Sequence, residues 1–322
     1  MDLSGNGKST YLVTGGAGFI GSHTVEMLVR DGHDVRILDN FHTGRRVNLM
    51  KVADQVTVLE GDIRDRQAVR DAMNGVDYVI HLAAMVSVAE SVEKPEATLA
   101  VNIDGTLNVL AAAQAARVRR VVLASSCAVY GDGPLPARES QAPLPRSPYA
   151  ASKLAAEGLA LSFFHSFGLP VVCQRYFNVF GPRQMFDSPY SGVIAIFSRQ
   201  ILSGNPVTIF GDGGQTRDFI FVEDVARANK LACTAPVAAG QVINIGAGRG
   251  RSLRELYSTL LSLSGKRASP QYADARPGDI YHSRCDATRA RKLLGFRQQT
   301  DFRTGLEKTL VWQRIESENT PA

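Results

Sequence analysis

Thr14-Gly15-Gly16-Ala17-Gly18-Phe19-Ile20-Gly21 is the stretch on which the reading of this chain turns. The apolar run Tyr11-Leu12-Val13 leads into it, and a helical pattern through Val25, Leu28 and Val29 comes after it. A strand feeding a glycine turn that opens a helix is a device for holding a pyrophosphate. Glycine lets the backbone pass close to the ligand, and the free N–H groups and positive end of the helix face the negative charge. Gly16, Gly18 and Gly21 match GxGxxG, while Gly15, Gly18 and Gly21 match the looser GxxGxxG. Glycine turns are common, so the motif takes its weight from its surroundings.

Those surroundings are informative. A second apolar strand, Val35-Arg36-Ile37-Leu38, ends in Asp39, 24 residues after Gly15. A βαβ dinucleotide fold places a carboxylate there to take both ribose hydroxyls of an adenosine. Its charge would repel a 2′-phosphate, which argues for NAD over NADP, although Arg45 and Arg46 lie a few residues on. The competing reading is a flexible turn followed by a surface aspartate.

The chain has 322 residues, enough for one large core or two unequal lobes. A hydrophobic fraction of 44% and a charged fraction of 21% are ordinary for a soluble globular enzyme. The net charge of +5 suits an anionic ligand but is spread along the chain. Its dense basic clusters, Arg117-Val118-Arg119-Arg120 and Arg249-Gly250-Arg251, are short. A nucleic-acid face would need a longer stripe, so no nucleic-acid partner is expected. Cys127, Cys173, Cys233 and Cys285 have neither Cys-x-x-Cys spacing nor histidines at ligand spacing. Neither a metal site nor a disulfide framework is expected, which fits a reducing cytosol and a cytoplasmic enzyme. No apolar run is long enough to span a bilayer, so no membrane partner is expected. Met1 to Thr10 is polar and lacks a signal-peptide core. Gly7-Lys8-Ser9-Thr10 ends like a P-loop, but Asp2 stands where such a loop needs glycine, and it reads as a tail.

The first half alternates strands and helices: a strand at 56–59, a helix near 67–73, a strand at 77–81, a long helix at 97–116 and a strand at 121–124. Such alternation predicts an α/β fold, a doubly wound parallel sheet covered on both faces. Ligands of such sheets gather at the carboxyl ends of the strands. The glycine loop, Asp39, Asp62, Ala83 and Ser125-Ser126 all fall there. Residues 131–148 read as a loop, 149–167 as a helix and 171–175 as a strand. A helix from Glu223 and a strand at 242–244 return to the sheet. The expected domains are a dinucleotide-binding one over 8–177 with about 215–247, and a smaller mixed α/β substrate lobe over 178–214 and 248–315. Residues 1–7 and 316–322 are expected to be tails.

Tyr149-Ala150-Ala151-Ser152-Lys153 sets a phenol and an ammonium four apart, on one face of a helix. A nearby positive charge favours phenolate and moves a side chain that titrates near pH 10 toward neutrality. The pair can then take a proton from an alcohol while hydride leaves the same carbon. Ser126, at a strand end, would hydrogen-bond the sugar hydroxyl or the carbonyl it becomes; the alternative is a strand-end cap. Cys127 reads as a buried small residue or a proton carrier, and His81 as a satisfied core histidine with no catalytic role.

With these residues assembled, the chain resembles the extended short-chain dehydrogenase/reductases of the nucleotide-sugar epimerase group, from about Tyr11 to Phe302. The resemblance rests on TGGAGFIG, GDIRD, HLAA, Ser125-Ser126, Tyr149 with Lys153, RYFNVFGPRQ, FGDGGQTRDFIFVEDV and RPGDI. It implies a Rossmann-type fold, bound NAD and a nucleotide-sugar substrate. Gly15, Gly18, Phe19, Ile20, Gly21, Asp39 and Asn40 would hold the cofactor, with Asp62 and Ile63 flanking the adenine. Ala83, Ala84, Tyr149 and Lys153 would line the nicotinamide riboside, and Asn102 would support the backbone there. Asn178, Val193, Phe210, Arg217, Arg276 and Asp279 match positions that hold the nucleoside diphosphate, and guanidinium suits pyrophosphate oxygens. A homodimer through the helices at about 97–116 and 149–167 is also implied.

Sugar-nucleotide 4,6-dehydratases of this family carry Thr-Asp-Glu where this chain has Ser126-Cys127-Ala128, and decarboxylating relatives place glutamate at Ala128. Eliminating water needs an acid and a base that Cys127 and Ala128 do not supply. Ser-Ser-Cys resembles GDP-fucose synthase, but that family's histidine partner falls near Arg183. The expectation is 4-epimerisation of a UDP-hexose through a 4-keto sugar, with Ser126, Tyr149 and Lys153 as catalytic residues. In this family the residue seven after the arginine of RPGD faces C2 of the sugar, and here it is Ser283. A serine leaves volume for an acetamido group, so UDP-N-acetylglucosamine and UDP-N-acetylgalactosamine are expected substrates beside UDP-glucose and UDP-galactose. The alternatives are a reductase, an epimerase/reductase or a dehydratase of the same fold, or a non-catalytic dinucleotide-sensing protein.

Overall fold

The computed structural model describes residues 7–186, 191–275 and 280–319. In chain order the first elements are β1 (Thr10–Thr14), α1 (Phe19–Arg30), β2 (Asp34–Asp39), β3 (Val56–Glu60), α2 (Arg66–Met73) and β4 (Tyr78–His81). Next come α3 (Val88–Glu93), α4 (Pro95–Leu99), a π-turn (Ala100–Gly105), α5 (Thr106–Ala115), β5 (Arg120–Ser126), α6 (Pro148–Phe167) and β6 (Val171–Tyr176). After these run β7 (Val179–Phe180), α7 (Val193–Leu202), β8 (Val207–Phe210), β9 (Thr216–Asp218), β10 (Ile220–Phe221), α8 (Val222–Thr234) and β11 (Gln241–Ile245). The last are β12 (Gly250–Ser252), α9 (Leu253–Ser264), β13 (Pro270–Ala273), α10 (Thr288–Leu294) and α11 (Phe302–Asn319).

Two compact units emerge. One comprises the chain up to Ser126 with Ser147–Gln174 and Ala226–Ile243; the other comprises Cys127–Arg146, Arg175–Val225 and the chain from Asn244 on.

The first unit is built on a parallel seven-stranded sheet in the order β3-β2-β1-β4-β5-β6-β11. The central strand β1 pairs in parallel with β2 and β4, setting Thr14 opposite both Leu38 and His81. Leu12, Val79, Val121 and Leu123 form one face and pack with Val69, Val109, Leu110, Ala113 and Ala156 of the helices. Alternation sends Val13, Ile37, Ile80 and Val122 to the opposite face, where they are also buried, as a parallel sheet requires. Each of these side chains contributes roughly 1.5–3 kcal/mol by leaving water. The order reverses beside β1, so the carboxyl ends of β1, β2, β4 and β5 gather Gly15, Asp39, Ala83 and Ser126 at one edge.

Two helical segments of this unit border that edge. The expected single helix over 97–116 is α4 and α5 joined by the π-turn. Pro95 starts it at a position where no amide donor is needed. The π-turn breaks neither the helical course of the chain nor its run of small and apolar residues, so the sequence reads as one helix. The helix of the Tyr–Lys pair, α6, starts where Ser147 Oγ accepts the Ala150 N–H at 3.1 Å and ends at Gly168, which turns left-handed at φ 70°.

The second unit carries short pairs: β7 with β10, β8 with β13 and β9 with β12. Phe180, Phe219, Phe221 and Phe302 form its aromatic core, with ring centroids 5.6–6.2 Å apart among those in contact. Cys127–Arg146, expected inside the dinucleotide-binding span of 8–177, falls in this unit instead. Leu144 N–H there reaches Val129 O, and Tyr130 Oη reaches Asn244 Oδ1 at 2.6 Å. α11 runs on through 316–319, beyond the tail boundary expected at 315. No helix among the described residues is long and apolar enough to cross a membrane.

Candidate active site

The glycine turn has the geometry the motif demands. Gly15 sits at φ +69°, and its N–H bonds Leu38 O at 2.9 Å. A Cβ there would lie 2.8 Å from Ala83 N. A Cβ on Gly21 would overlap the Gly15 carbonyl oxygen and come 2.8 Å from Gly16 Cα. Turn and helix can therefore approach only as bare backbone. Gly18 caps α1 without any side-chain hydrogen bond, and the first turn holds no acidic residue. Phe19, Ile20 and Gly21 thus open a helix whose positive end suits a phosphate.

Asp39 ends β2 with 6% exposure; Ala17 N–H donates to its Oδ2 at 2.9 Å and Phe41 N–H to its Oδ1 at 2.8 Å. Burial pushes its carboxyl above the usual range, and these two N–H donors work against that. Asn40 Nδ2 donates to Asp62 Oδ2 at 2.9 Å. The guanidinium of Arg64, bonded to both Asp62 oxygens, holds that carboxyl far below its ordinary value. Ile63 is buried behind Asp62 and abuts Gly105 of the π-turn. Arg46 pairs with Glu60 at 2.5 Å and stacks over the Phe41 ring. A bare-backbone turn, an uncapped helix start and a strand-end carboxylate are the parts that a dinucleotide requires, and they fit one.

The reacting groups lie on the same unit. Tyr149, 9% exposed, opens α6 with its N–H on Ser91 Oγ at 3.1 Å, and Ser126 closes β5. One turn on, Lys153 is 6% exposed and its Nζ donates to Ala124 O at 2.9 Å. Burial pulls the Lys153 ammonium down to about 8, and the Glu157 charge one turn further pulls it partly back. Ser125 Oγ reaches Glu157 Oε1 at 2.5 Å. Asn102, in the π-turn, accepts Met85 N–H and donates to Met85 O and Ser152 Oγ, each at 2.9 Å. The loop bearing Ala83 and Ala84 is thereby tied to the helix bearing Tyr149 and Lys153. Ser91, Ser152 and Glu157 are participants the sequence reading missed. Only the four-residue spacing from Lys153 could have signalled Glu157.

On the second unit, Thr216 and the segment at 281–283 lie side by side: Thr216 N–H donates to Tyr281 O at 2.9 Å, and Ser283 N–H to Thr216 O at 3.0 Å. Arg217 is adjacent, with Nη1 on Thr216 O at 2.9 Å. Asn178 Nδ2 donates to Asp218 O at 3.3 Å. Arg217, Ser283 and Asn178 are thus grouped about β9. Phe210 ends β8, where Gln215 Nε2 donates to its carbonyl at 2.6 Å, and Val193 begins α7. Arg276 and Asp279 lie outside the described residues. Cys127 belongs to this group through Asn178 and Asp218; burial first, and the Asp218 charge second, push its thiol up to about 11.

Residues 11–246 match the NAD dependent epimerase/dehydratase family. A UDP-glucose 4-epimerase of Mycolicibacterium smegmatis is 39% identical over 95% of this chain and 99% of that protein. Among solved structures, the UDP-N-acetylglucosamine 4-epimerase of Methanobrevibacter ruminantium, in complex with UDP-N-acetylmuramic acid, is 38% identical with a TM-score of 0.92, covering 96% of this chain and 99% of that one. The Thermus thermophilus UDP-glucose 4-epimerase, in complex with NAD, is 39% identical with a TM-score of 0.86, covering 95% and 99%.

Proposed function

The chain belongs to the NAD-dependent epimerase/dehydratase family with NAD as its cofactor, and we propose that it reversibly inverts C4 of a UDP-hexose. The proposed substrates are UDP-N-acetylglucosamine and UDP-N-acetylgalactosamine, with UDP-glucose and UDP-galactose accepted as well. The observation that carries this reading is the pairing on α6 of Tyr149 with a buried, hydrogen-bonded Lys153, in a chain whose Ser126-Cys127-Ala128 sequence holds no carboxyl group.

In this reading Gly15, Gly18, Phe19, Ile20 and Gly21 hold the pyrophosphate, Asp39 the adenosine ribose, and Ala83, Ala84 and Lys153 the nicotinamide riboside. Bound NAD supplies a reversible hydride acceptor for C4. Tyr149 removes the proton of the C4 hydroxyl and returns it to the same oxygen once the flat 4-keto sugar has turned over. Lys153 keeps a positive charge beside that phenol, which favours the phenolate that takes the proton. Ser126 hydrogen-bonds the same oxygen as hydroxyl and as ketone. Arg217, with Arg276, neutralises the pyrophosphate of the substrate, Asp279 takes its ribose, and Ser283 leaves room at C2. A homodimer through α5 and α6 is part of the proposal, supported by the exposed Leu107 and Phe167.

The test is incubation of the purified protein with UDP-sugars and no added reductant, resolving the epimers by NMR. Interconversion without net NADH change is expected. Failure on every UDP-hexose with NAD loaded overturns the proposal, and stoichiometric consumption of NADH would make the chain a reductase.

A further inference from the structure

A line of buried polar groups outside the proposed acid–base set joins the end of β1, the end of β4 with the loop after it, and the π-turn before α5. His81, the last residue of β4, is 2% exposed. Its Nδ1 lies 2.6 Å from Thr14 Oγ1 and its Nε2 lies 3.0 Å from Thr106 Oγ1. The far ends fix the direction of the protons. Thr106 Oγ1 donates its single proton to the main-chain oxygen of Asn102 at 2.7 Å, which can only accept. Its oxygen must therefore accept from His81, so Nε2 carries the proton and Nδ1 holds a lone pair. Thr14 then donates to Nδ1, and its own oxygen takes the Ala83 N–H at 3.3 Å. Each donor in the series faces an acceptor, an arrangement in which neighbouring bonds polarise one another. Burial holds the imidazole down at about 3, so it stays neutral at working pH.

The ends of this line matter. Ala83 abuts Gly15 of the glycine turn so closely that a Cβ on Gly15 would come 2.8 Å from its nitrogen. Asn102 holds the loop after β4 at Met85 and the helix of Tyr149 at Ser152. We propose that His81 is a positioning residue of the reaction: its single tautomer spaces the Ala83 and Asn102 segments so that the nicotinamide ribose and the phenol meet in register. This rests on the epimerase reading, and the experiment separates the two.

Two measurements decide it. In the NAD-loaded protein with ¹⁵N-labelled histidine, His81 is expected as the Nε2–H tautomer with no titration from pH 5.5 to 9. An Nδ1–H tautomer, or protonation in that range, overturns the proposal. Thr106→Val removes the acceptor of the His81 proton, whereas Thr106→Ser keeps it. Thr106→Val is expected to release NAD about tenfold faster and lower kcat about tenfold with KM for the UDP-sugar within twofold, while Thr106→Ser stays near wild type. Val109→Ala, a core truncation in the same helix, should lower Tm and leave kcat and NAD release unchanged. Equal losses in Thr106→Val and Thr106→Ser, or losses that follow Tm across all three variants, overturn it. Wild-type protein that turns over no UDP-hexose refutes the epimerase reading alone, because tautomer and NAD release are still read.

Discussion

Removing the charge of Lys153 should move activity and stability in opposite directions with pH. Its Nζ is buried against Ala124 O and titrates at about 8 instead of the ordinary 10.5. That difference corresponds to about 3 kcal/mol disfavouring the ammonium in the folded protein. The unfolded chain keeps this proton up to about 10.5, and the folded one releases it near 8. Between those values the unfolded state binds more protons, so this group's contribution to stability rises with pH, and below pH 8 the whole burden is present. Lys153→Met keeps the apolar stem and abolishes the titration. The unfolding free energy of the variant minus that of wild type, followed by circular dichroism in urea, should therefore fall by about 3 kcal/mol between pH 7 and 10.5. Comparing the two proteins cancels the groups that titrate independently of Lys153, and carrying both proteins on a Tyr149→Phe background removes the phenol that does not. Wild-type kcat should meanwhile decline about tenfold per pH unit above 8, as the charge beside the phenol is lost. A stability gap independent of pH, or a kcat that holds level to pH 9.5, would refute the argument.

Tyr149→Phe removes the proposed proton acceptor and should cost roughly 10²–10⁴ in turnover while NAD stays bound, read from NMR rates and cofactor released on denaturation. Gly21→Ala forces a methyl group into the Gly15 carbonyl, and overpacking of about 1–3 kcal/mol should weaken NAD binding by roughly ten- to a hundredfold in a titration of cofactor-stripped protein. Ser283→Tyr should abolish turnover of the N-acetylated pair and spare UDP-galactose; equal losses on both would remove Ser283 from substrate selection. Cys127→Ser should leave epimerisation within about threefold, because a thiol held near 11 is almost wholly protonated at pH 7, and a loss beyond about 10² would restore it to the chemistry.

What the sequence discloses depends on how local each cause is. The glycine turn, Asp39 and the strand–helix alternation announce the first unit, because backbone clearance and burial on both sheet faces leave direct marks on residue type. The helix starts were legible to within a residue where Ser147 and Pro148 punctuate the chain. The π-turn was not, since it is stabilised by what Asn102 reaches, Met85 and Ser152, rather than by its own residues. Grouping of Cys127–Arg146 with the second unit was equally hidden, because it depends on distant partners such as Asn244 and on the bridge from Ala137 to Cys285. From its place at the end of a buried strand His81 reads as a satisfied core histidine, and Thr14 and Thr106 do satisfy it. Which side chains satisfied it could not be seen, and they carry the consequence.

The choice among reactions then comes down to where acid and base strength is allowed to reside. Elimination of water from a hexose needs a second acid–base couple near C5 and C6. Ala128 offers none, and the Cys127 thiol, raised to about 11, is ionised to roughly one part in 10⁴ at pH 7. The carboxylate whose charge acts on that thiol, Asp218, is fully buried and engaged with the N–H groups of Ala247, Gly248 and Cys285. Burial raises this carboxyl while those three N–H donors work against it, and moving a proton onto it would weaken hydrogen bonds that order the loop after β11. Tyr149 and Lys153 are left as a pair that can exchange one proton with one oxygen. The proposed oxidation and return at a single carbon need no more than that, and in that reading the scarcity of acids and bases that disfavours elimination would also protect the 4-keto sugar while it turns.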